Sequence, residues 1–335
     1  MRKRILIAAL IALHAAILLA GLLAPYDPAN QNRGFPYAPP ARIHWVGRSG
    51  VYWRPFVYAV SPNLTGYHED PSQIFPLRFF YRGDSYKLLG LFTADIHLFG
   101  VDAPGRIFIL GTDAYGRDEF SRLLYGGQIS LAAGLLGTLL TLAMAALIGT
   151  ISGYFGKWAD ESFMGLAELF LCLPWFYFLV AMRAFLPLHL NPTCTFLLIT
   201  CVMGSIGWTR PARLVRGVVL SARNRDYVAA ARGFGASDFY LIQRHIMPAA
   251  FGVLLTQAAL LVPQYVTAEA VLSFFGLGIA EPVPSWGNML SILQQYNVIV
   301  SYYWLLAPAG ALVVTSVIYW LLADALHHWV KSHSI

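Results

Sequence analysis

The sequence predicts an all-α membrane protein with six transmembrane helices and one long extracytoplasmic segment of β-rich character. Hydrophobic residues make up 57% of the 335 residues, charged residues only 12%, and the mean hydropathy is +0.57, a balance typical of membrane proteins. Apolar runs of membrane-spanning length recur along the chain, and Arg and Lys cluster beside them, as on the cytoplasmic side of a membrane. The net charge of +6 comes from these clusters and not from a separate basic domain, which argues against nucleic-acid binding.

The first transmembrane helix is predicted within residues 1–24. Three positive charges, on Arg2, Lys3 and Arg4, precede an apolar run over 5–23. A secretory signal peptide begins in the same way, but its apolar core is shorter than this run. We therefore expect an uncleaved helix whose basic N-terminus stays inside the cell and whose other end emerges outside.

Residues 25–110 are predicted to form a folded extracytoplasmic segment. Its proline-rich opening is typical of an extended tether. Aromatic and β-branched runs, separated by polar turn residues, predict strands at 51–60, 75–81 and 106–110.

Residues 111–129 are predicted to form an amphipathic helix at the outer membrane interface. Charges of alternating sign recur there at helical distances, on Asp113, Arg117, Asp118 and Arg122, and leucines supply an apolar side. These charged groups are expected to form structural salt bridges and caps, not a catalytic site.

Residues 130–335 are predicted to form a core of five further helices. The spans are predicted at 130–155, 163–186, 193–208, 251–275 and 302–322. Six spans place both termini and the long loop 221–248 in the cytoplasm, in agreement with three clusters of positive charge. The three cysteines, Cys172, Cys194 and Cys201, lack the spacing of metal ligands, and no metal site is expected.

The loop 221–248 predicts two short helices joined by a sharp glycine turn. The apolar face of the first helix consists of Tyr227, Ala230, Ala231 and Phe234. Candidate N-caps are Asn224 or Asp226 for the first helix and Ser237 or Asp238 for the second. Gly233 and Gly235 can end the first helix, since glycine accepts the left-handed cap conformation. An exposed helix with an alanine-rich face is suited to docking into a groove on a partner.

Four motifs follow one another in the last two thirds of the chain. The chain reads GTDAYGRD from Gly111, LSFFGLG from Leu272 and PSWG from Pro284, and its loop carries three alanines from Ala229, then Gly235 and later Met247-Pro248. Together these motifs resemble the dipeptide, oligopeptide and nickel branch of the permease subunits of ABC importers, from about residue 111 to the C-terminus. The loop resembles their EAA loop, although Ala229 stands where that loop has Glu.

The resemblance implies a type I ABC importer permease fold and a translocation-pathway subunit of an ATP-driven peptide importer in a bacterial inner membrane. Its implied partners are a second permease in a heterodimer, two cytoplasmic ATPases and an extracytoplasmic solute-binding protein. ATP and Mg²⁺ would be bound by the ATPases, and this chain would bind no cofactor. In that family the loop is the coupling helix that docks on the ATPase. The residues implied in coupling are Arg223, Arg225, Tyr227, Ala229, Ala230, Ala231, Arg232, Gly235, Ala236 and Pro248.

The segment 25–110 is longer than the resemblance implies, since such permeases pass from the first span to the Gly-Thr-Asp motif in far fewer residues. It is therefore interpreted as an insertion. Two hypotheses stay open for it: a cap that packs on the membrane domain, or a docking surface for the solute-binding protein.

Two acidic residues are predicted inside spans, where a charge is costly and is a functional candidate. Glu168 is expected to bond to another helix. Glu269 could contact a peptide amine or a cation, or could bond to neighbouring backbone and hold a broken helix. The candidate residues of the translocation path or gate are Glu269, Ser273, Phe274 and Trp286.

The sequence contains no enzyme motif, neither a phosphate-binding Gly-x-x-x-x-Gly-Lys-[Ser/Thr] loop nor a metalloprotease or hydrolase pattern. Energy must therefore come from a partner or from an ion gradient. The alternatives to a peptide importer are an ion-coupled secondary transporter, a membrane-embedded assembly protein, and a related importer of nickel complexes or peptide-like compounds. The solute is not identified by the sequence.

Overall fold

The computed structural model describes residues 2–48, 50–63, 66–88, 90, 92–185 and 191–333. The helices are α1 Arg2–Leu18, α2 Ala20–Leu23, α3 Glu119–Phe155, α4 Lys157–Cys172, α5 Trp175–Phe185, α6 Pro192–Gly207, α7 Thr209–Arg223, α8 Asp226–Gly233, α9 Asp238–Leu241, α10 Met247–Phe274, α11 Trp286–Leu290, α12 Tyr296–Ser301 and α13 Ala307–His333. The strands are β1 His44–Gly47, β2 Gly50–Asn63, β3 Gly66–Pro76, β4 Arg78–Leu88 and β5 Phe92–Gly100.

The chain divides into two compact units. The first unit consists of Met1–Leu10, Leu131–Leu272 and Val314–Ile335, and the second unit consists of Ile11–Ser130 and Ser273–Val313. The named strands all lie in the second unit, and the loop between α7 and α10 lies in the first.

Three helical stretches are long and apolar enough to cross a membrane: Glu119–Phe155, Asp238–Phe274 and Tyr303–His328. A fourth is obtained if α6 and α7, which are bent by 40° relative to each other, count as one span. Helix α1 is apolar but shorter. By length and composition the described residues therefore contain three spans, or up to four, and the count of six stays a prediction.

The helix predicted over 111–129 has wrong bounds. The first part of this stretch is a loop, and α3 begins only at Glu119 and continues without a break to Phe155. The loop is favoured because Gly111 and Gly116 have positive φ angles of +73° and +70°. The side chain of Asp113 also accepts two backbone N–H groups of the loop, at 2.8 and 3.0 Å, which competes with helix formation. No helix boundary exists at residue 130.

The span predicted over 163–186 is broken near its middle. Helix α4 ends at Cys172 and α5 begins at Trp175, and Leu173 is extended. Pro174 explains the break, because proline disfavours the helical conformation of the preceding residue and has no N–H for the hydrogen-bond ladder. The predicted end of this span, Leu186, lies outside the described residues.

Two antiparallel sheets form part of the second unit. One has the order β1-β2-β3, and the other pairs β4 with β5. β2 covers the strand predicted at 51–60, whereas the run at 75–81 falls on the junction of β3 and β4. The strand predicted at 106–110 is wrong. That run is irregular, and its apolar character is explained by burial of Ile107 in a cluster with Val57, Leu77 and Val101.

The charged groups around the start of α3 form a buried network. The Nε–H of Arg117 donates to Asp113 at 2.6 Å, and its Nη1 donates to Glu281 at 2.6 Å. Arg122 donates to the same Glu281 carboxylate at 2.8 Å, and both arginine side chains are buried. The expectation of structural salt bridges is confirmed. The sequence analysis missed Glu281, because nothing in the motif indicates a partner 159 residues away.

Asp118 caps α3 and gives the fold a pH dependence. Its Oδ2 accepts hydrogen bonds from the backbone and hydroxyl of Ser121, at 2.8 and 2.6 Å. Burial raises the pKa of Asp118 to about 7, although these hydrogen bonds lower it. The folded pKa therefore lies above the unfolded value, so the stability from this group is complete in acid and is lost as pH rises toward 7. We expect the unfolding midpoint in detergent to fall as the pH rises from about 4 to about 7. Asp118→Asn should flatten that slope, and an unchanged slope would contradict the assignment.

Candidate functional site

The loop between α7 and α10 presents α8 as a short, exposed helix. Its N-cap is Arg225, which makes no side-chain capping bond, so the predicted caps Asn224 and Asp226 are not used. Asp226 instead lies in the first turn, where a negative charge is favourable near the positive end of the helix dipole. Helix formation here relies on that charge and on packing, since Val228 is fully buried.

The apolar face predicted for this helix is largely on the outside of the chain. Tyr227 and Ala230 are exposed, and Phe234 is 92% exposed, whereas Ala231 is half-buried. An aromatic ring exposed to that extent is unfavourable in water. The exposed face is therefore typical of a protein-binding surface.

The turn after α8 depends on Gly235, which has a φ of +85°. The N–H of Gly235 donates to the carbonyl of Arg232 at 2.9 Å, and the N–H of Ala236 donates to that of Ala231 at 3.1 Å. These two bonds form a Schellman motif, which satisfies carbonyl groups at the helix end and requires a left-handed residue at this position. The prediction that Gly235 makes the turn is confirmed.

Gly235→Ala is expected to destabilise this turn by about 1–2 kcal/mol, the cost of a left-handed conformation for a residue with a Cβ. The cost is conformational and not steric, because a Cβ at this position has no neighbour within 4 Å. Gly233→Ala is the matched control: it has equal space and no positive φ, so it should be neutral or stabilising. Protease nicking at the turn measures the effect, and equal nicking of both variants would contradict it.

The second helix of the loop is longer than predicted. Ser237 accepts the N–H of Tyr240 at 3.3 Å and caps α9, as predicted. The helix does not stop at Pro248, however. It continues through a π-helical turn at Ile242–Ile246 into α10 and runs to Phe274. Only four residues therefore separate α8 from a helix of membrane-spanning length.

Tyr154, at the end of α3, anchors the two helices of the loop. Its hydroxyl donates to the carboxylate of Asp238 and accepts from Arg232 at 2.8 Å. The guanidinium of Arg232 lies over the ring at 5.8 Å and pairs with Asp238 at 3.7 Å. One hydroxyl thus joins α3 to both α8 and α9.

Tyr154→Phe is expected to loosen this anchor by about 1 kcal/mol, since two hydrogen bonds to charged but partly exposed groups are lost. The ring and its contact with Arg232 remain, so insertion and overall folding should be unaffected. Hydrogen exchange of the α8 amides measures the change. Phe155→Tyr, at the exposed neighbouring position, is the control, and faster exchange in that variant as well would point to a general effect.

Further contacts tie α7 to the ends of α3 and α4. Arg223 donates to the carbonyl groups of Gly153 and Tyr154, at 3.2 and 2.6 Å, and Arg216 pairs with Asp160. The hydrogen bond from Arg216 lowers the pKa of Asp160, although burial opposes it. Arg223 was predicted to face the ATPase, but these bonds assign its guanidinium a role within the chain.

A buried apolar cluster lies beneath the loop. It brings α3, α7 and the start of α10 together through Tyr154, Val215, Val219, Ala222, Ile246 and Ala250.

The sequence analysis missed Tyr154 and Asp238 as partners. The only signal for this pair in the sequence is a tyrosine at the end of an apolar run and an aspartate at a predicted cap.

The remaining coupling residues are accessible to different degrees. Arg225, Ala229, Arg232 and Pro248 are exposed, and Ala236 is half-buried. Two aromatic side chains beside them, Phe239 and Tyr240, are also exposed and were not predicted as part of the site. Their exposure extends the apolar surface from α8 onto α9.

The residues predicted for the path or gate are mostly enclosed. Glu269, Ser273 and Trp286 are each buried, and Phe274 is half-buried. The indole N–H of Trp286 donates to the carbonyl of Leu123 at 2.9 Å, which fixes the ring in the second unit. Glu168 is exposed and pairs with Arg213 on α7 at 3.2 Å, as expected for a bond to another helix.

A shallow groove of about 410 Å³ lies in the first unit, on α5, α10 and α13. Its polar lining is Gln264, Thr267 and Ser316, and Trp175 and Pro263 form apolar walls. Gln264 and Thr267 are exposed within a helix of membrane-spanning length. The hydroxyl of Thr267 donates to the carbonyl of Pro263 at 2.8 Å, whereas the uncharged amide of Gln264 needs a partner other than lipid. Among the described residues no group of three His, Cys, Asp or Glu side chains could hold a metal ion.

This chain is similar to a family of transport proteins and to several peptide permeases. The family model described as binding-protein-dependent transport system inner membrane component matches residues 145–332. A putative peptide permease of Brucella suis is 35% identical over 69% of this chain and 76% of its own. The oligopeptide permease OppC of Escherichia coli is 38% identical over 64% of this chain and 69% of its own length. The inward-facing methionine transporter MetNI is 16% identical, covers 62% of this chain and 95% of its own, and gives a TM-score of 0.45.

Proposed function

The chain belongs to the family of binding-protein-dependent transport system inner membrane components, and from that premise we propose that it is the translocation subunit of an ATP-driven peptide importer. Membership confirms the resemblance drawn from the motifs, and the peptide permeases among its relatives support the solute class. The observation that carries the coupling role is the exposed apolar face of α8, a helix that is tied to the chain by the buried Val228 and by the bond from Arg232 to the hydroxyl of Tyr154 on α3.

The proposed assembly contains a second permease, two ATPases on the cytoplasmic face and a solute-binding protein on the opposite face. ATP and Mg²⁺ belong to the ATPases. The chain lies in the bacterial inner membrane with six spans and both termini in the cytoplasm. The strand-rich insertion 25–110 is then extracytoplasmic, and the loop 221–248 is cytoplasmic, in agreement with its arginines.

In the proposed mechanism, closure of the ATPases displaces α8. Tyr227, Ala230 and Phe234 enter a groove on the ATPase, and Arg225 and Arg232 orient the contact by charge. Arg223 is left out of docking in this proposal because it is half-buried and binds carbonyl groups at the end of α3, whereas Arg232, which also bonds within the chain, keeps 55% of its side chain exposed.

The displacement of α8 is transmitted to other helices because α8 is bonded to them. The hydroxyl of Tyr154 carries it to α3, Arg223 couples α3 with α7, and the continuous helix from Asp238 carries it into α10. A movement that is shared by three membrane helices is a rigid-body change, which is the kind that switches a transporter between outward-open and inward-open states.

The groove on α10 is proposed as this subunit's side of the translocation path. Its amide and hydroxyl groups can donate and accept hydrogen bonds, as a peptide backbone requires. The lining carries no formal charge, which suits peptides of varied side chains. Glu269 and Trp286, which are buried, are left with structural roles in this proposal.

Co-purification tests the coupling proposal. The tagged chain is extracted in mild detergent and compared with a variant that carries Ala230→Glu and Gly235→Arg. We expect an ATPase subunit to accompany the wild type and not the variant. Recovery of the ATPase with both proteins would contradict the proposed role of α8. Recovery of the ATPase with neither protein, under conditions that preserve a known ABC importer, would contradict the importer proposal.

A further inference from the structure

The hairpin of β1 and β2 carries an uncovered apolar surface, which we call the tryptophan patch and define as Trp45, Val46, Val51 and Trp53. Each of these side chains is more than half exposed, and Trp53 is 100% exposed. Val46 and Val51 are directly paired across the two strands. By strand alternation Trp53 shares the face of the Val46–Val51 pair, and Trp45 directly precedes Val46 beside that pair.

The patch is not needed for the packing of its own sheet. The other residues of the hairpin form an aromatic cluster, in which His44 lies 4.8 Å from Tyr58 and Tyr52 lies 4.9 Å from Phe56, measured between ring centroids. A side chain at Gly47 would collide with this cluster, where a Cβ would meet the Tyr52 ring at 2.9 Å. By strand alternation Val51 and Trp53 lie on the face of β2 opposite Tyr52 and its aromatic cluster.

The charge around the patch has one sign. The stretch from residue 28 to residue 68 contains no acidic residue, and its exposed arginines are Arg33, Arg42, Arg48 and Arg54. The first acid beyond it, Glu69, is already bonded to His44 at 3.1 Å. Tryptophan beside arginine is the composition found at membrane–water interfaces, where the ring lies among headgroups and the cation meets lipid phosphate.

We propose that the tryptophan patch inserts into the headgroup layer of the membrane that holds the chain, with its arginines on anionic lipid. A protein that is integral to a membrane meets that surface at high effective concentration, so a small patch is sufficient. The ladder between β1 and β2 pairs the backbone groups that face each other, and the headgroup layer offers water and polar groups to the outer edges, so only side chains need to meet apolar lipid. The insertion is thereby an interfacial anchor as well as a folded segment.

Site-directed fluorescence on the reconstituted complex tests the proposal. Cys172, Cys194 and Cys201 are replaced by Ser, and an environment-sensitive fluorophore is attached after Trp53→Cys or Val51→Cys. The second position leaves both tryptophans in place. The nanodiscs contain phosphatidylglycerol and phosphatidylcholine, with nitroxide lipids as depth quenchers. The control is Ser61→Cys, which is exposed at the far end of the same strand.

The expected result is a blue shift of emission at both patch positions and quenching by nitroxides near the headgroup, with neither effect at position 61. Arg48→Gln should lower the ratio of inserted to free hairpin about fivefold in anionic nanodiscs and have little effect in pure phosphatidylcholine. Patch labels that remain open to iodide and are not quenched by lipid would overturn the proposal. Shielding that arises only when a purified solute-binding protein is added would also overturn it and assign the patch to that protein.

Discussion

Ala230→Glu is expected to lower ATP-dependent peptide uptake at least about tenfold, the effect of losing a central residue of a protein interface. Ala230 is exposed on α8 between Tyr227 and Phe234, where a carboxylate would place charge and bulk against the ATPase groove. Because Ala230 is exposed, the change should leave the packing of the described residues in place. Uptake into proteoliposomes, at equal amounts of inserted protein, measures the loss.

Gln243→Glu is the matched control for this prediction. It introduces the same carboxylate at an exposed position of the same loop, but in the π-helical turn and not on α8. Its uptake should stay close to that of the wild type. Equal loss in both variants would mean that added negative charge in the loop, and not the face of α8, is responsible.

Arg117→Met is expected to lower the free energy of unfolding by about 3 kcal/mol, because it breaks a buried ion pair and leaves Asp113 without its nearest cation. Arg117 joins Asp113 and Glu281 at 2.6 Å each, and only the more distant Arg122, with its Nε 3.8 Å from Asp113, remains. The methionine keeps most of the packing volume, so the effect reports on charge. Denaturation of the purified chain in mixed micelles measures it.

Two variants bracket the arginine result. Arg117→Lys keeps the charge but not the forked geometry, and should fall between the wild type and Arg117→Met. Arg82→Met removes an exposed arginine of the same unit, 4.0 Å from Asp95, and should change stability little. A loss as large for Arg82→Met as for Arg117→Met would contradict the claim that burial makes the network important.

Local chemistry made parts of the fold predictable. The left-handed glycine and the second cap depend on residues next to one another, and the structure selects Gly235 and Ser237 from the two candidates predicted for each. The break at Pro174 had an equally local cause, but the apolar run around it dominated the interpretation. The loop before α3 was interpreted as helix because alternating charges at helical spacing also occur in a loop that Asp113 holds by backbone hydrogen bonds.

Tertiary partners could not be predicted. Glu281 reaches Arg117 and Arg122 from a distant segment, and Tyr154 receives Arg232 and Asp238 from another helix pair. Sequence spacing carries no information on such encounters. Arg223, one of three arginines that the sequence assigned to docking, binds a carbonyl group at the end of α3, a contact that the sequence did not indicate.

The same contacts bear on the main alternative, an ion-coupled secondary transporter. Such a protein needs a relay of acids or histidines at membrane depth. Of the two candidate acids, Glu168 is exposed and paired with Arg213. The exposed face of α8 has no role in that mechanism, whereas the importer mechanism proposed above gives it one.

The most direct test is the energy source of uptake. The chain is reconstituted with its co-purified partners into proteoliposomes, and entry of a labelled peptide is followed with ATP on the ATPase side, or with a proton or sodium gradient and no ATP. We predict uptake that requires hydrolysable ATP and persists when ionophores collapse both gradients. Uptake that a gradient drives without ATP, and that Ala230→Glu leaves intact, would contradict the account.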